Sequence, residues 1–320
     1  MSNISSTLWI DNKTFDLQAA KSQLLSHHSD DLSETSLNYT NWAVEQLFPE
    51  DKTANFNGKE TTYNCFKYSF EQFSAGLEDD AVKKDGYIVV FAYNSKIRYI
   101  VTRNTGAKTM LRKLLNYSGK GEIERSPLKF NGDMFVWLIN KVYLGESLLV
   151  SESENLKDLS IDSVRGIKGD TEDYLTRVSA VGESVINIIS TLSFLLESQN
   201  LNQIKLDIAY GDFANIDLSL NNKSIVSTEF ERLQCGSAAG ITDAEKMAYV
   251  FILLYTEILP IITQSYQGAI DGNYWSQGKC VEFLKRVAKD LSEKVEKRVA
   301  DLTDRPEQLK LSFEVSSTDE

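Results

Sequence analysis

Histidine is almost absent from this sequence: 320 residues carry two, the adjacent His27 and His28. Both lie in the polar stretch Ser26 to Ser36, which reads as an exposed loop, so no apolar pocket is at hand to tune a histidine general base. Cysteine is nearly as scarce. Cys65, Cys235 and Cys280 are odd in number and far apart, with no C-x-x-C pair. That excludes a disulfide framework or a cysteine-rich metal site and fits a reducing, cytoplasmic setting. No basic segment followed by an apolar run opens the chain, so no signal peptide is expected. The Asn-x-Ser/Thr triplets at Asn12 and Asn38 carry no meaning there. Long hydrophobic runs are also missing. Val185 to Leu196 is short for a membrane span and holds Asn187, Ser190, Thr191 and Ser193; Met247 to Ile262 is interrupted by Glu257 and Pro260. Both read as buried core helices.

The composition is that of an ordinary globular protein, 42% hydrophobic and 25% charged, with 46 acidic residues against 34 basic ones and a net charge of −12. A chain of this length buries a sizeable core without staples. An acidic total repels nucleic acid and anionic membrane at long range. A polyanion partner therefore needs a local exception to the overall sign.

The pattern along the chain predicts an α+β fold in two halves, each a small, mainly antiparallel sheet with helices, and a helical C-terminus. Tyr39 to Phe48 reads as a helix ending before Pro49, and Tyr63 to Phe70 as a strand. Tyr87 to Tyr93 and Lys96 to Thr102 are β-branched and aromatic runs across the Asn94-Ser95 break, a hairpin. Its alternation puts Ile97, Tyr99 and Val101 on one face and Lys96, Arg98 and Ile100 on the other. Thr105 to Tyr117 reads as a helix with Thr105 as cap and Met110, Leu111, Leu114 and Leu115 on its apolar face. Asp133 to Leu144 leans to a helix capped by Asp133. Ile161 to Val181 reads as short strands around a charged turn at Gly166 to Glu172, and Glu183 to Leu196 as an apolar helix. Lys205 to Tyr210, Ala214 to Leu220 and Ser224 to Phe230 form a meander. Thr242 and Glu245 make a capping box for a long helix. From Lys279 to Leu302 a heptad of Val281, Leu284, Ala288, Leu291, Val295 and Leu302 is broken at Arg298, with Lys285, Lys289, Glu293 and Glu296 alongside. The expected domains are 1–150 and 151–303, divided near Ser151 to Asn155, with a disordered tail over 304–320.

The charge exception lies in residues 96–129. Lys96, Arg98, Arg103, Lys108, Arg112, Lys113, Lys120, Arg125 and Lys129 stand against Glu122 and Glu124 alone, a net +7 that leaves −19 for the rest. Lys108 and Arg112 are one helical turn apart. Arg103, Lys120 and Arg125 fall in loops from which they can reach phosphate, and Tyr99 and Tyr117 are candidates to stack on bases. These nine are the candidate nucleic-acid-binding residues. The competing explanation is that they decorate a helix face and pair with acidic residues elsewhere.

Other constellations are weaker. Asn104 to Thr109 lacks both glycines of a phosphate loop: Ala107 precedes Lys108, and Thr102 stands at the first glycine position. In Gly236 to Gly240, Ser237 follows the first glycine directly, off register for a nucleophile elbow. His27 and His28 with Asp30 and Asp31 read as an incidental loop cluster rather than a metal site. A nuclease needs clustered carboxylates and a lysine. Asp207, Asp212, Asp217, Glu229 and Glu231 lie on the meander without that order, and Glu50-Asp51-Lys52 has the letters without a supporting strand. No catalytic residue, metal ligand or cofactor is assigned.

The run Thr242-Asp-Ala-Glu-Lys-Met-Ala-Tyr249, with Ile258-Leu259 beyond it, is similar to the C-terminal helix of RexA-type phage exclusion proteins, which carries A-E-x-M-A-Y. The two-half layout resembles the KwaB subunit of the Kiwa phage-defence system. Both families are DNA-binding components that work beside a small membrane protein. The resemblance implies an antiviral defence subunit that binds DNA rather than RNA and has a small membrane-protein partner. No site residue carries over from it. The leading expectation is thus a non-enzymatic nucleic-acid-binding or sensing subunit of a bacterial anti-phage system, a homodimer or higher oligomer through its last helices. The alternatives are a metal-dependent nuclease and a structural oligomerisation subunit.

Overall fold

The computed structural model describes residues 3–26, 37–74, 81–103, 105–119, 121–151, 153–170, 177–181, 195–196, 200–235 and 241–303. Strand β1 (Ile4–Asp11) is the hinge of the architecture. Its first residues pair with β13 (Val226–Glu229), Ile4 opposite Thr228 and Ser6 opposite Val226. Its last pair with β6 (Lys96–Val101), Thr7 opposite Val101 and Ile10 opposite Arg98. One strand thereby passes from one sheet into the other.

The first sheet runs β2 (Leu37–Gln46), β4 (Lys59–Ser74), β5 (Val82–Tyr93), β6, β1. Strand β3 (Lys52–Phe56) lies on β4 and β7 (Ile123–Arg125) on β1. The second runs β1, β13, β12 (Phe213–Asn221), β11 (Asn200–Tyr210), β9 (Leu159–Asp170), β10 (Arg177–Val181), with β14 (Gln234–Cys235) on β12 and β8 (Leu148–Leu149) on β9. Every pairing among these strands is antiparallel. The α+β class and the two mainly antiparallel sheets are as the sequence predicts.

The near-continuous apolar run of β5 has its reason in burial on both faces. On one side Ile88, Val90, Ile97, Tyr99 and Val101 pack under α1 (Leu17–Ser26) and α2 (Ala107–Leu114). On the other, Val89, Phe91 and Ile100 join a larger core shared with the second sheet, α3 (Gly132–Tyr143) and the C-terminal helices. Those helices are α4 (Asp243–Leu253), a π turn (Leu254–Ile258), α5 (Leu259–Asp271) and α6 (Gln277–Thr303). The π turn sits just before Pro260, whose ring would clash with the carbonyl four residues back in a regular helix; the wider turn relieves it. Asp243–Asp271 is long and apolar enough to cross a membrane by length and composition, and 78% of its most apolar window is buried inside the protein.

Several local expectations are corrected. Tyr39 to Phe48 is not a helix: Tyr39 to Gln46 belongs to β2, paired along β4 with a bulge between Thr40 and Ala43, where Asn41 adopts φ 53°, and Leu47 and Phe48 follow the strand. Trp42 and Val44 turn to the core while Asn41, Ala43 and Glu45 face out, a period of two. Gly166 is not a turn residue: β9 runs through it to Asp170, opposite Lys205 of β11 and Val181 of β10. The caps also shift. Gly106, at φ 73°, precedes α2 in place of Thr105, and Asn131 rather than Asp133 caps α3 by accepting from the Met134 amide. The Asn94-Ser95 hairpin, the meander and the Thr242–Glu245 capping box form as expected. Of the helix expected over Glu183 to Leu196, only Leu195 and Leu196 lie within the described residues, and the tail over 304–320 lies outside them.

Candidate functional site

Tight turns bring the candidate cations to their places. The β5–β6 hairpin closes at Asn94 (φ 54°) and Ser95 (φ 58°), and the β3–β4 hairpin closes beside it at Asn57 and Gly58. At this end of the first sheet Lys59 reaches the Asn94 side-chain oxygen at 2.5 Å, and Lys96 reaches Asn12 Oδ1 at 2.8 Å. Lys59 and Arg98 both lie over the Tyr93 ring, at 5.6 and 5.1 Å from its centroid. Such cation–π contacts hold a charge in place without neutralising it. Burial pushes the Arg98 pKa below its ordinary value, with the nearby Tyr93 opposing, and its Nε is buried without a hydrogen-bond partner.

The same end collects Arg112 from the last turn of α2. Its Nη2 donates to Ser118 O at 2.6 Å. The following loop is pinned to β1 by Asn12, whose backbone amide donates to Glu122 O and whose side-chain amide donates to Gly121 O. Lys13 pairs with Glu122 at 2.9 Å and lies over the Tyr117 ring. That hydrogen bond, with the Gly119 amide and the charges of Lys13 and Arg112, holds the Glu122 carboxyl below its ordinary range against the opposing effect of desolvation. Lys13, Lys59, Lys96, Arg98 and Arg112 thus gather at one end of the strands, Lys59 and Arg98 on the face of Tyr93 and Lys13 and Arg112 on the face that carries Tyr117 and α2.

The other candidates stand elsewhere. Arg103 is at the far end of β6, seven residues from Lys96 and so roughly 23 Å away. It donates to Thr105 O and Gln72 Oε1 and lies over Phe70. Lys108 is half-buried on the first turn of α2. Arg125 lies over Trp9 and donates to Ser224 O at the seam between the sheets, and Lys129 is exposed beyond it. Lys113 is 7% exposed and turned inward. Lys120 lies outside the described residues. Tyr99 and Tyr117 are both buried, donating to Asp11 Oδ2 at 2.7 and 2.9 Å, so neither ring is free to stack on a base.

The competing explanation required ion pairs. Among the described residues, Lys59, Lys96, Arg98, Arg103, Lys108, Arg112, Arg125 and Lys129 have no carboxylate oxygen within 4.0 Å. Several cations outside the segment are paired: Lys21 with Asp51, Lys52 with Glu245, Arg165 with Asp207, and Lys205 with Asp217 and Glu229.

Those last pairs decide what the meander carboxylates are available to do. Asp207, Asp217 and Glu229 stand in register across β11, β12 and β13. Lys205 Nζ sits between Asp217 (3.1 Å) and Glu229 (2.9 Å), and Arg165 forks onto Asp207. Burial raises the Asp217 pKa, with the pull of Lys205 opposing it. A divalent ion would have to displace the Lys205 ammonium, and among the described residues no group of three His, Cys, Asp or Glu side chains is placed to hold a metal. Asp51 accepts hydrogen bonds from Lys21, Asn64 and Gln18, which ties the Glu50-Asp51-Lys52 letters into the fold. His27, His28, Asp30, Asp31 and Ser237 lie outside the described residues. Sequence reasoning missed Lys13, Lys59 and Tyr93; the Asn57-Gly58 dipeptide, a strong two-residue hairpin signal, would have placed Lys59 beside Asn94. No family model matches the chain, and no curated protein matches it.

Proposed function

We propose that the chain is a non-enzymatic nucleic-acid-binding subunit that holds phosphate along the edge formed by Lys13, Lys59, Lys96, Arg98 and Arg112. The observation that carries this reading is that Lys59, Lys96, Arg98 and Arg112 are held by Asn94, Asn12, Tyr93 and Ser118 O and have no carboxylate partner among the described residues. The net charge of −12 does not prevent it. At physiological salt the field of distant acids is screened beyond about 8 Å, so cations in contact with a phosphate dominate the local potential. The resemblance to RexA-type exclusion proteins and to KwaB favours DNA as the polyanion, an anti-phage role in the cytoplasm and a small membrane protein as partner.

The test is fluorescence anisotropy of a labelled DNA duplex, in EDTA and across a salt series. Four phosphate contacts give a log–log salt slope of about −4, a loss of roughly 10²-fold in affinity between 50 and 200 mM salt. Replacing Lys59 and Lys96 by Glu, two exposed residues whose loss leaves the core intact, should weaken binding equally on unrelated sequences and flatten the slope by about two units. Unchanged affinity and slope in that double variant would dismiss this edge. Degradation of the duplex on adding a divalent ion, absent in EDTA, would instead favour the nuclease.

A further inference from the structure

Helix α6 is docked by one face only. Phe283 and Val287 are buried against the body of the protein, Tyr143 packs edge-on to Phe283 at 5.6 Å and donates to Asp290, and Cys280, Leu284 and Leu291 are half-buried beside them. From Ser292 to Thr303 every residue is exposed. About three turns of helix therefore project from the protein, and an isolated helix of that length is marginal in water.

A second apolar stripe runs beside the docked face. At 100° per residue, Val281, Leu284, Ala288, Leu291, Val295, Val299 and Leu302 fall within roughly 40° of one line along the helix. Val281, Val295, Val299 and Leu302 are 44%, 46%, 56% and 49% exposed. Val299 takes up the stripe where Arg298 interrupts the strict heptad. The flank away from the docked face carries Lys285 and Lys289 in its first half and Glu293 and Glu296 in its second.

We propose that this stripe is covered by a second copy of the chain, α6 against α6 and antiparallel, with Leu291 at the two-fold axis. The sequence is complementary to itself in that orientation and register. Ala288 faces the partner's Val295, small against large, and Val281 meets the partner's Leu302. In an antiparallel pair each flank meets the same flank reversed, so Lys289 faces the partner's Glu293 and Lys285 approaches the partner's Glu296. A parallel pair would turn this flank toward the side of the partner helix that α3 already covers. The proposal is independent of the nucleic-acid reading.

The test is the mass of the full chain by light scattering at micromolar concentration, with circular dichroism to verify folding. The parent should give about twice 36.1 kDa; a monomer overturns the proposal. Val295→Glu changes a side chain already exposed in the single copy, so it should keep the fold and halve the mass. A dimer that survives it overturns the seam. Lys289 and Glu293, 77% and 63% exposed, also pair within the helix at 3.5 Å; an exposed pair of this spacing adds little to stability, so reversing charges there leaves each copy folded. Lys285→Glu with Lys289→Glu should dissociate the dimer by at least tenfold in Kd, as should Glu293→Lys with Glu296→Lys. All four changes together should restore it. Failure of the fourfold variant to recover overturns the antiparallel register.

Discussion

Glu257 should act as a clamp whose two oxygens do separate work. It sits in the π turn, 7% exposed. Its Oε1 accepts from the Asn57 amide and its Oε2 from the Tyr210 hydroxyl, both at 2.6 Å. Asn57 belongs to the β3–β4 turn of the first sheet and Tyr210 to the end of β11 in the second, so one carboxylate ties both sheets to the helix. Burial, then the hydrogen bond to Glu257, raises the Tyr210 pKa, which keeps the phenol a donor. In Glu257→Gln one oxygen remains for two donors, and a donor is left facing an amide NH2. A hydrogen bond to a charged group is worth about 1.5–3 kcal/mol, so the loss should be about 2 kcal/mol. Glu257→Ala orphans both donors and opens a void, so it should cost about 3–5 kcal/mol. Tyr210→Phe removes the same hydrogen bond from the other side, so combined with Glu257→Gln the loss should be less than the sum by about 1 kcal/mol. Urea unfolding followed by tryptophan fluorescence measures each value. Equal losses for Gln and Ala, or additivity in the double variant, would refute the clamp.

Two further predictions concern stability. Asp51 accepts from Lys21 at 2.6 Å, Asn64 at 2.8 Å and Gln18 at 2.8 Å; burial alone would raise its pKa, but these donors and the Lys21 charge together leave it below the ordinary 3.8. Its stabilising contribution is therefore full above the unfolded carboxylate value and fades as pH falls through the lower folded one. Asp51→Asn should lower the melting temperature at neutral pH and flatten the acid limb below about pH 4; an acid limb identical to the parent's would count against it. At Gly132 in α3 a Cβ would stand 2.8 Å from Leu201 O, a backbone atom. Gly132→Ala should therefore destabilise by more than about 1 kcal/mol, although alanine favours helices generally by about that amount; a rise in stability would show that the strand yields.

What the sequence disclosed depended on whether the decisive signal was local. The capping box at Thr242 and Glu245, the Asn94-Ser95 turn and the meander each rest on a few adjacent residues, and each formed. Tyr39 to Phe48 looked helical because Pro49 supplied a plausible stop, yet Trp42 and Val44 already carried the period of two, blurred by the extra residue of the bulge at Asn41. Tyr99 and Tyr117 were candidates for stacking because nothing nearby in sequence reveals Asp11, which lies on another strand and takes both hydroxyls. The continuity of β9 through Gly166 was hidden for a similar reason. The register shifts that accommodate it occur opposite β11, some forty residues later.

The nine basic residues were legible as a charge and illegible as a surface, and the difference lies in what anchors them. A salt bridge fixes a side chain and cancels its charge together. Carbonyl oxygens, side-chain amides and ring faces fix it and leave the charge intact. Lys59 on Asn94 and Tyr93, Lys96 on Asn12, Arg112 on Ser118 O and Arg98 over Tyr93 are all held in the second way. Ordering a lysine or arginine costs up to about 2 kcal/mol of side-chain entropy. Where the fold has already met that cost, a phosphate arriving at the edge encounters fixed cations and keeps more of each contact as affinity. The carboxylates that might have competed are held within the protein: Asp51 by Lys21, Asp207 by Arg165, and Asp217 and Glu229 by Lys205. An acidic protein can therefore present a basic edge with little internal quenching: of Lys13, Lys59, Lys96, Arg98 and Arg112 only Lys13 is paired, with Glu122, and most internal pairs form elsewhere.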